Sequence, residues 1–177
     1  MKTTGNREQI LELEMRREIY TLVTASPGLH FREIQRRTGS GTGQLEYHLE
    51  YLKKAGLVTT EKTGEYLRFY TRADIPPEEK RVLGLLYQKS ARRILLYLLE
   101  HESCNHDTLA QAIDISPSTI SWHLGKLVSA GIVGKEVDGR RSIYSLTSPG
   151  LVANVLIQYR ESFMDTLVDR FIGMWEP

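Results

Sequence analysis

Apolar residues return every three or four positions through much of this chain, in short runs separated by turn-forming residues. Ile10, Leu13, Ile19 and Val23 keep helical spacing, so residues 7–25 are predicted as a first helix. Asn6 with Gln9 gives it a capping-box-like start, and Ser26-Pro27-Gly28 stops it. Phe31 to Thr38 reads as a short second helix, with Phe31 and Ile34 inward and Arg32, Arg36 and Arg37 outward. After the turn Gly39-Ser40-Gly41, Thr42 to Ala55 forms a third helix that Gly56 ends. Alternation then replaces the helical period. Leu57–Lys62 and Glu65–Thr71 read as strands on either side of Thr63-Gly64.

Ile75-Pro76-Pro77-Glu78-Glu79 interrupts the pattern and marks a boundary. The prolines break one element and pre-set the first turn of the next, whose positive end the glutamates suit. Helix follows to about Glu100, bent or interrupted near Gln88–Ser90, and His106–Ile113 is a short helix. Ser116 is the N-cap of the next, with Pro117 at its first position, where a missing N–H costs nothing. At about 100° per residue, Ile120, Leu124, Leu127 and Val128 share one face, and Ser118, Thr119, Trp122 and Lys126 share the other. Gly131 ends this helix. Ile132–Val137 and Ser142–Leu146 read as strands joined by Asp138-Gly139, with Arg140 and Arg141 just past the turn. Ser148-Pro149 opens a last helix over residues 150–174, carrying Val152, Val155, Leu156, Tyr159, Phe163, Leu167, Phe171 and Trp175 as one stripe. At ~1.5 Å per residue it would run roughly 40 Å. A small domain cannot cover such a stripe, which predicts a partner, the same helix of a second subunit; the alternative is that it folds back on the first domain.

The two halves repeat each other. Gly64 and Gly139, Gly56 and Gly131, and His48 and His123 each stand 75 positions apart, and the shift holds without a gap from Arg17/Arg92 to Phe69/Tyr144. The expected fold is mainly α with small β-hairpins (α+β): domain 1 over residues 6–74, domain 2 over 75–147 and a C-terminal helix over 148–177.

Length and charge sharpen this picture. The 177 residues carry a formal net charge of only +1, so any affinity for a polyanion must sit in a local patch. One helix with a polar, acid-free face, followed by a ribbon with a basic tip, suits a DNA duplex: the helix fits a major groove and the tip reaches phosphate. No apolar run is long enough to span a bilayer, and the N-terminus shows no signal-peptide core. The single cysteine, Cys104, fits a reducing cytoplasm. His101, Cys104 and His106 are the one metal-like cluster, but they fall in a turn with no fourth ligand nearby, so an ordinary polar turn is expected. No phosphate-binding loop or nucleophile elbow appears, and Gly-x-Gly at 39–41 and 41–43 follows no buried strand. Neither an enzyme nor a cofactor is expected.

His48-Leu49 with Leu52 and Ala55-Gly56-Leu57-Val58, and His123-Leu124 with Leu127 and Ala130-Gly131-Ile132-Val133, each lead into a hairpin. This pattern resembles the winged helix-turn-helix transcriptional regulators. The second copy is most similar to the ArsR-like and MarR-like groups. The first, with P-G-L-H-F-R-E-I-Q-R-R-T-G and L-E-Y-H-L, is similar to tandem winged-helix regulators common in archaea. The resemblance implies that the third helix of each domain enters a major groove while the wing meets the backbone. It assigns base-edge roles to Ser118, Thr119 and Trp122, with His123 at the margin, and phosphate roles to Lys126, Arg140 and Arg141.

The copies are not equal. Ser121 and Gly125 are replaced by Glu46 and Glu50 in the first copy, and Arg140-Arg141 by Glu65-Tyr66. Carboxylates beside phosphates cost affinity. Domain 2 is therefore expected to be the main reader, on an inverted-repeat operator bound by a homodimer. Domain 1 adds weaker contacts through Gln44, Tyr47 and Arg68, or presents its tyrosines to a protein or effector. The rival expectation is a protein-interaction module that binds little DNA.

Overall fold

The computed structural model describes residues 4–63, 65–71, 75–163 and 166–175, with side chains from Leu13 onward except those of Thr166 and Trp175. It divides into two compact units between Ile75 and Pro76, at the proline boundary.

Unit 1 runs α1 (Thr4–Ala25), β1 (Leu29–His30), α2 (Phe31–Thr38), α3 (Thr42–Lys54), β2 (Val58–Thr63) and β3 (Tyr66–Thr71). Its helix already begins at Thr4, ahead of the expected start at Asn6, whose side chain, like the Gly64 turn, lies outside the described residues. Ile19 and Val23 from α1, Ile34 from α2 and Leu45 and Leu49 from α3 meet Leu29, Val58 and Phe69 of the sheet in one core. Arg37, expected outward, turns inward: it pairs with Glu33 and donates to Ser26 Oγ.

Unit 2 repeats the plan. It contains α4 (Pro77–Leu86), α5 (Lys89–His101), β4 (Ser103–Asn105), α6 (His106–Ile113), α7 (Pro117–Ser129), β5 (Val133–Asp138) and β6 (Arg141–Leu146). Then come α8 (Pro149–Gln158), a 3-10 turn at Arg160–Ser162 and α9 (Thr166–Trp175). The expected interruption near Gln88 separates α4 from α5. The buried Arg92 side chain donates to the Leu86 carbonyl at 2.6 Å, satisfying an end group of α4.

Each wing is a three-stranded antiparallel sheet, in the orders β1-β3-β2 and β4-β6-β5. The hairpins follow the alternating runs, but β1 and β4 are additional. They span two and three residues, too short for any alternation to show. Both third helices end in the same way. Gly56 and Gly131 take φ of +69° and +71°, and the N–H groups of Leu57 and Ile132 reach back to the carbonyls of Leu52 and Leu127. This is the Schellman arrangement, which needs a left-handed residue at that position. The second hairpin turns one residue later than expected. Asp138 pairs with Arg141, so the loop is Gly139-Arg140 and Arg141 opens β6. Gly139, at φ +61°, takes the first central position, the glycine preference of a type II′ turn.

The C-terminal stripe departs most from expectation. It is not one helix of residues 150–174. Helix α8 packs on α4 and α9 packs on α5, with the 3-10 turn between. Val152, Val155, Leu156, Val168, Phe171 and Ile172 are buried inside unit 2. Phe163, beside the break, lies 5.7 Å from the Tyr87 ring and 5.6 Å from the Arg92 guanidinium. Breaking the helix lets its apolar face follow two differently placed helices. Most of the stripe is thereby covered within its own unit, with Leu167 left exposed, and its length alone no longer demands a second subunit. The side chain of Trp175, the last member of the stripe, lies outside the described residues. Among the described residues no helix is long and apolar enough to cross a membrane.

Candidate nucleic-acid interface

In unit 2 the open face of α7 is built by its N-cap. Ser116 Oγ accepts from the Thr119 N–H at 3.3 Å and lies 3.1 Å from Ser118 Oγ and 2.8 Å from Thr119 Oγ1. This holds a group of hydroxyls at the positive end of the helix. Trp122 follows, 61% exposed, with Lys126 Nζ 5.1 Å from its ring centroid. Trp122 therefore stands out from the helix rather than lying against its wing. Lys126 also donates to Gln88 Oε1 at 3.2 Å, which draws it toward the start of α5. His123 is buried on the other side of the helix, with its ring edge-on to Trp122 at 4.7 Å. Burial, then Lys126, holds its pKa below the ordinary histidine value. Buried here, His123 packs the domain and does not stand on the open face of α7.

Arg140 and Arg141 are both exposed on the wing. With Ser142 and Tyr144 they form one wall of a polar recess of about 400 Å³. Asn105, His106 and Asp107 at the start of α6, together with Ser121 of α7, form the other. His106 ties the two helices together: its Nε2 lies 2.9 Å from Ser121 Oγ and 3.2 Å from the Pro117 carbonyl, and its Nδ1 lies 3.3 Å from Asp107. Asn105 caps α6 by accepting from the Thr108 N–H. His106 and Ser121 were absent from the expected site. The repeat held the signal, because the matching positions are Phe31 and Glu46.

The metal-like trio of the sequence is dispersed into separate tasks. His101 stacks on Tyr97 at 4.0 Å. Cys104 is buried opposite Tyr144, and burial pushes its thiol up to about 11. His106 faces α7. No group of three metal-binding side chains occurs among the described residues.

Unit 1 offers a different surface. Gln44 is exposed, and Tyr47, Tyr51 and Tyr66 stand half out of the fold. Arg16 lies 3.8 Å over the Tyr51 ring and 5.8 Å from that of Tyr47. Glu46 and Glu50 flank these rings, Glu50 paired with Lys53. Arg68, expected at phosphate, is only 3% exposed and donates to the Gly28 carbonyl at 2.8 Å. Its strand sits centrally in the sheet, between β1 and β2, so the guanidinium is needed to satisfy the turn after α1. The assignment of Arg68 to DNA is corrected.

An N-terminal helix-turn-helix domain family matches residues 13–83, and a winged helix-turn-helix DNA-binding family matches residues 88–133. The chain is 33% identical over 141 residues to an uncharacterised HTH-type transcriptional regulator of Methanocaldococcus jannaschii, covering 78% of this chain and 35% of that protein. It is 34% identical over 82 residues to an uncharacterised HTH-type transcriptional regulator of Bacillus subtilis, covering 46% of this chain and 36% of that one. The chain thus spans about a third of the length of these curated relatives. Among solved structures, HlyU of Vibrio cholerae superposes with a TM-score of 0.42 at 23% identity, over 48% of this chain and 90% of HlyU. Two units of helix, helix, helix and hairpin, each overlapping a helix-turn-helix family match, give this chain two winged helix-turn-helix folds in tandem.

Proposed function

We propose that the chain is a sequence-specific DNA-binding transcriptional regulator whose second domain is the main reader. The recess between α6, α7 and the wing carries this reading. It joins an acid-free helix face to two exposed arginines, with His106 and Ser121 linking the walls. In this reading Ser118, Thr119 and Trp122 meet base edges, while Lys126, Arg140 and Arg141 meet phosphates, which supply most of the affinity. Two copies would set two α7 helices in successive major grooves, roughly 34 Å apart, on an inverted-repeat operator. Most of the apolar stripe of α8 and α9 is already buried, which leaves Leu167 and Met174 as its exposed apolar side chains for a pairing contact. The family matches favour regulation over catalysis.

A second role belongs to unit 1. Its exposed tyrosines flanked by Glu46 and Glu50 favour a protein or effector surface over a phosphate rail. A gel shift on the protein's own upstream region, with and without excess nonspecific duplex, tests the main reading. A retained specific band supports it. A band lost to competitor, or absent at low ionic strength, leaves a protein-interaction module in its place.

A further inference from the structure

Unit 2 has a second concavity that the DNA reading does not use. It is a cavity of about 180 Å³ between α5, α6 and α9. Arg93, Leu96, Tyr97 and Glu100 lie three, four and seven positions apart on one face of α5, and Leu167, Arg170 and Met174 do the same on α9. Leu96 and Ile113 are buried in its floor, while Leu167 and Met174 rise exposed at its side. Tyr97 is held in place by its stack on His101.

The charges are arranged unevenly. Arg93 comes from α5 and Arg170 from α9, and neither guanidinium forms an ion pair or hydrogen bond among the described residues. Two cations from different helices line one cavity with an apolar floor, a lining that suits an anion with a hydrophobic body. Size limits the body. An apolar cavity of about 150 Å³ accepts benzene, so this one admits a single ring. Glu100 lies seven residues along α5 from Arg93, roughly 10 Å at ~1.5 Å per residue. It repels a carboxylate from the far end and so sets the ligand's direction.

We propose that this cavity binds a small monocarboxylate with a single-ring or equally compact apolar body, its carboxylate held by Arg93 and Arg170. The site stands independently of the DNA reading, because it is tested by binding alone.

Calorimetry on the full chain with benzoate, benzyl alcohol, benzylamine and phenylalanine tests it. Benzoate is expected to bind, with benzyl alcohol about tenfold weaker and Arg93→Gln or Arg170→Gln each weakening benzoate by about tenfold. Ala112→Phe, at an exposed position on the lining, is expected to plug the cavity and abolish binding without disturbing the fold. No benzoate binding by the wild-type chain up to about 10 mM would overturn the proposal. So would tighter binding of benzylamine or phenylalanine, or benzoate binding that ignores both the arginine variants and the plug.

Discussion

Arg16 donates through Nε to Nδ1 of His48 at 3.3 Å, bracing the third helix of unit 1 against α1. In unit 2 the equivalent histidine, His123, has Ala91 where Arg16 stands, and its buried Nδ1 has no hydrogen-bond partner among the described residues. One repeated residue thus has two energetic roles. A buried polar atom left unmade costs about 1–3 kcal/mol. His123→Leu should therefore be neutral within about 1 kcal/mol or stabilising, whereas His48→Leu should cost about 1 kcal/mol by stripping an acceptor from Arg16. Both tryptophans lie in unit 2, so urea melts followed by tryptophan fluorescence report the His123 variant, and far-UV dichroism reports the other.

His30 gives unit 1 a pH dependence. Its Nδ1 caps α2 by accepting from the Glu33 N–H, and burial, then Arg68, hold its pKa below 6.5. The unfolded chain, with an ordinary histidine, takes up its proton first. Stability is therefore present above about pH 6.5 and is lost as pH falls through the folded value. Unit 1 should weaken between about pH 7.5 and 5.5, and His30→Asn, a cap that does not titrate, should flatten that loss. Thermal melts of the two proteins across this range check it.

Arg68 should behave as a structural residue. Arg68→Ala leaves the Gly28 carbonyl unmade and is expected to destabilise unit 1 by about 1–3 kcal/mol. The salt dependence of DNA binding should be unchanged. A fall in that slope would return Arg68 to the phosphate contacts.

The broken C-terminal helix makes its own prediction. Phe171 is fully buried in unit 2, on the α9 that packs against α5. Phe171→Ala should cost about 3–5 kcal/mol, independent of protein concentration. A helix that served only a partner would instead show its loss as dissociation, with a midpoint that moves with concentration.

Local chemistry made most of the fold legible. Pro117 after Ser116, glycines after Ala55 and Ala130, and the Pro76-Pro77 boundary each fixed an element end to within a residue. What stayed hidden was tertiary. Nothing near Tyr159 to Ser162 reads as a breaker, because the break is imposed by where α4 and α5 lie. Arg68 looks like any strand cation until β1 pairs beside it. The exposed positions of Ser118 and Trp122 match the polar face that periodicity gives α7, and those of Arg140 and Arg141 match the turn signal at Asp138-Gly139. The contribution of His106 needed the hairpin folded back over α6.

The central claim is that unit 2 supplies the phosphate contacts. The direct measurement titrates operator DNA at several salt concentrations with Arg140→Ala/Arg141→Ala and, separately, with Gln44→Ala/Tyr47→Ala. The wing pair should weaken binding and flatten the plot of log K against log salt by about 2, at roughly 0.9 per lost phosphate contact. The unit 1 pair should leave the slope alone. A greater loss from the unit 1 pair, or a wing pair that leaves the slope untouched, would contradict the account.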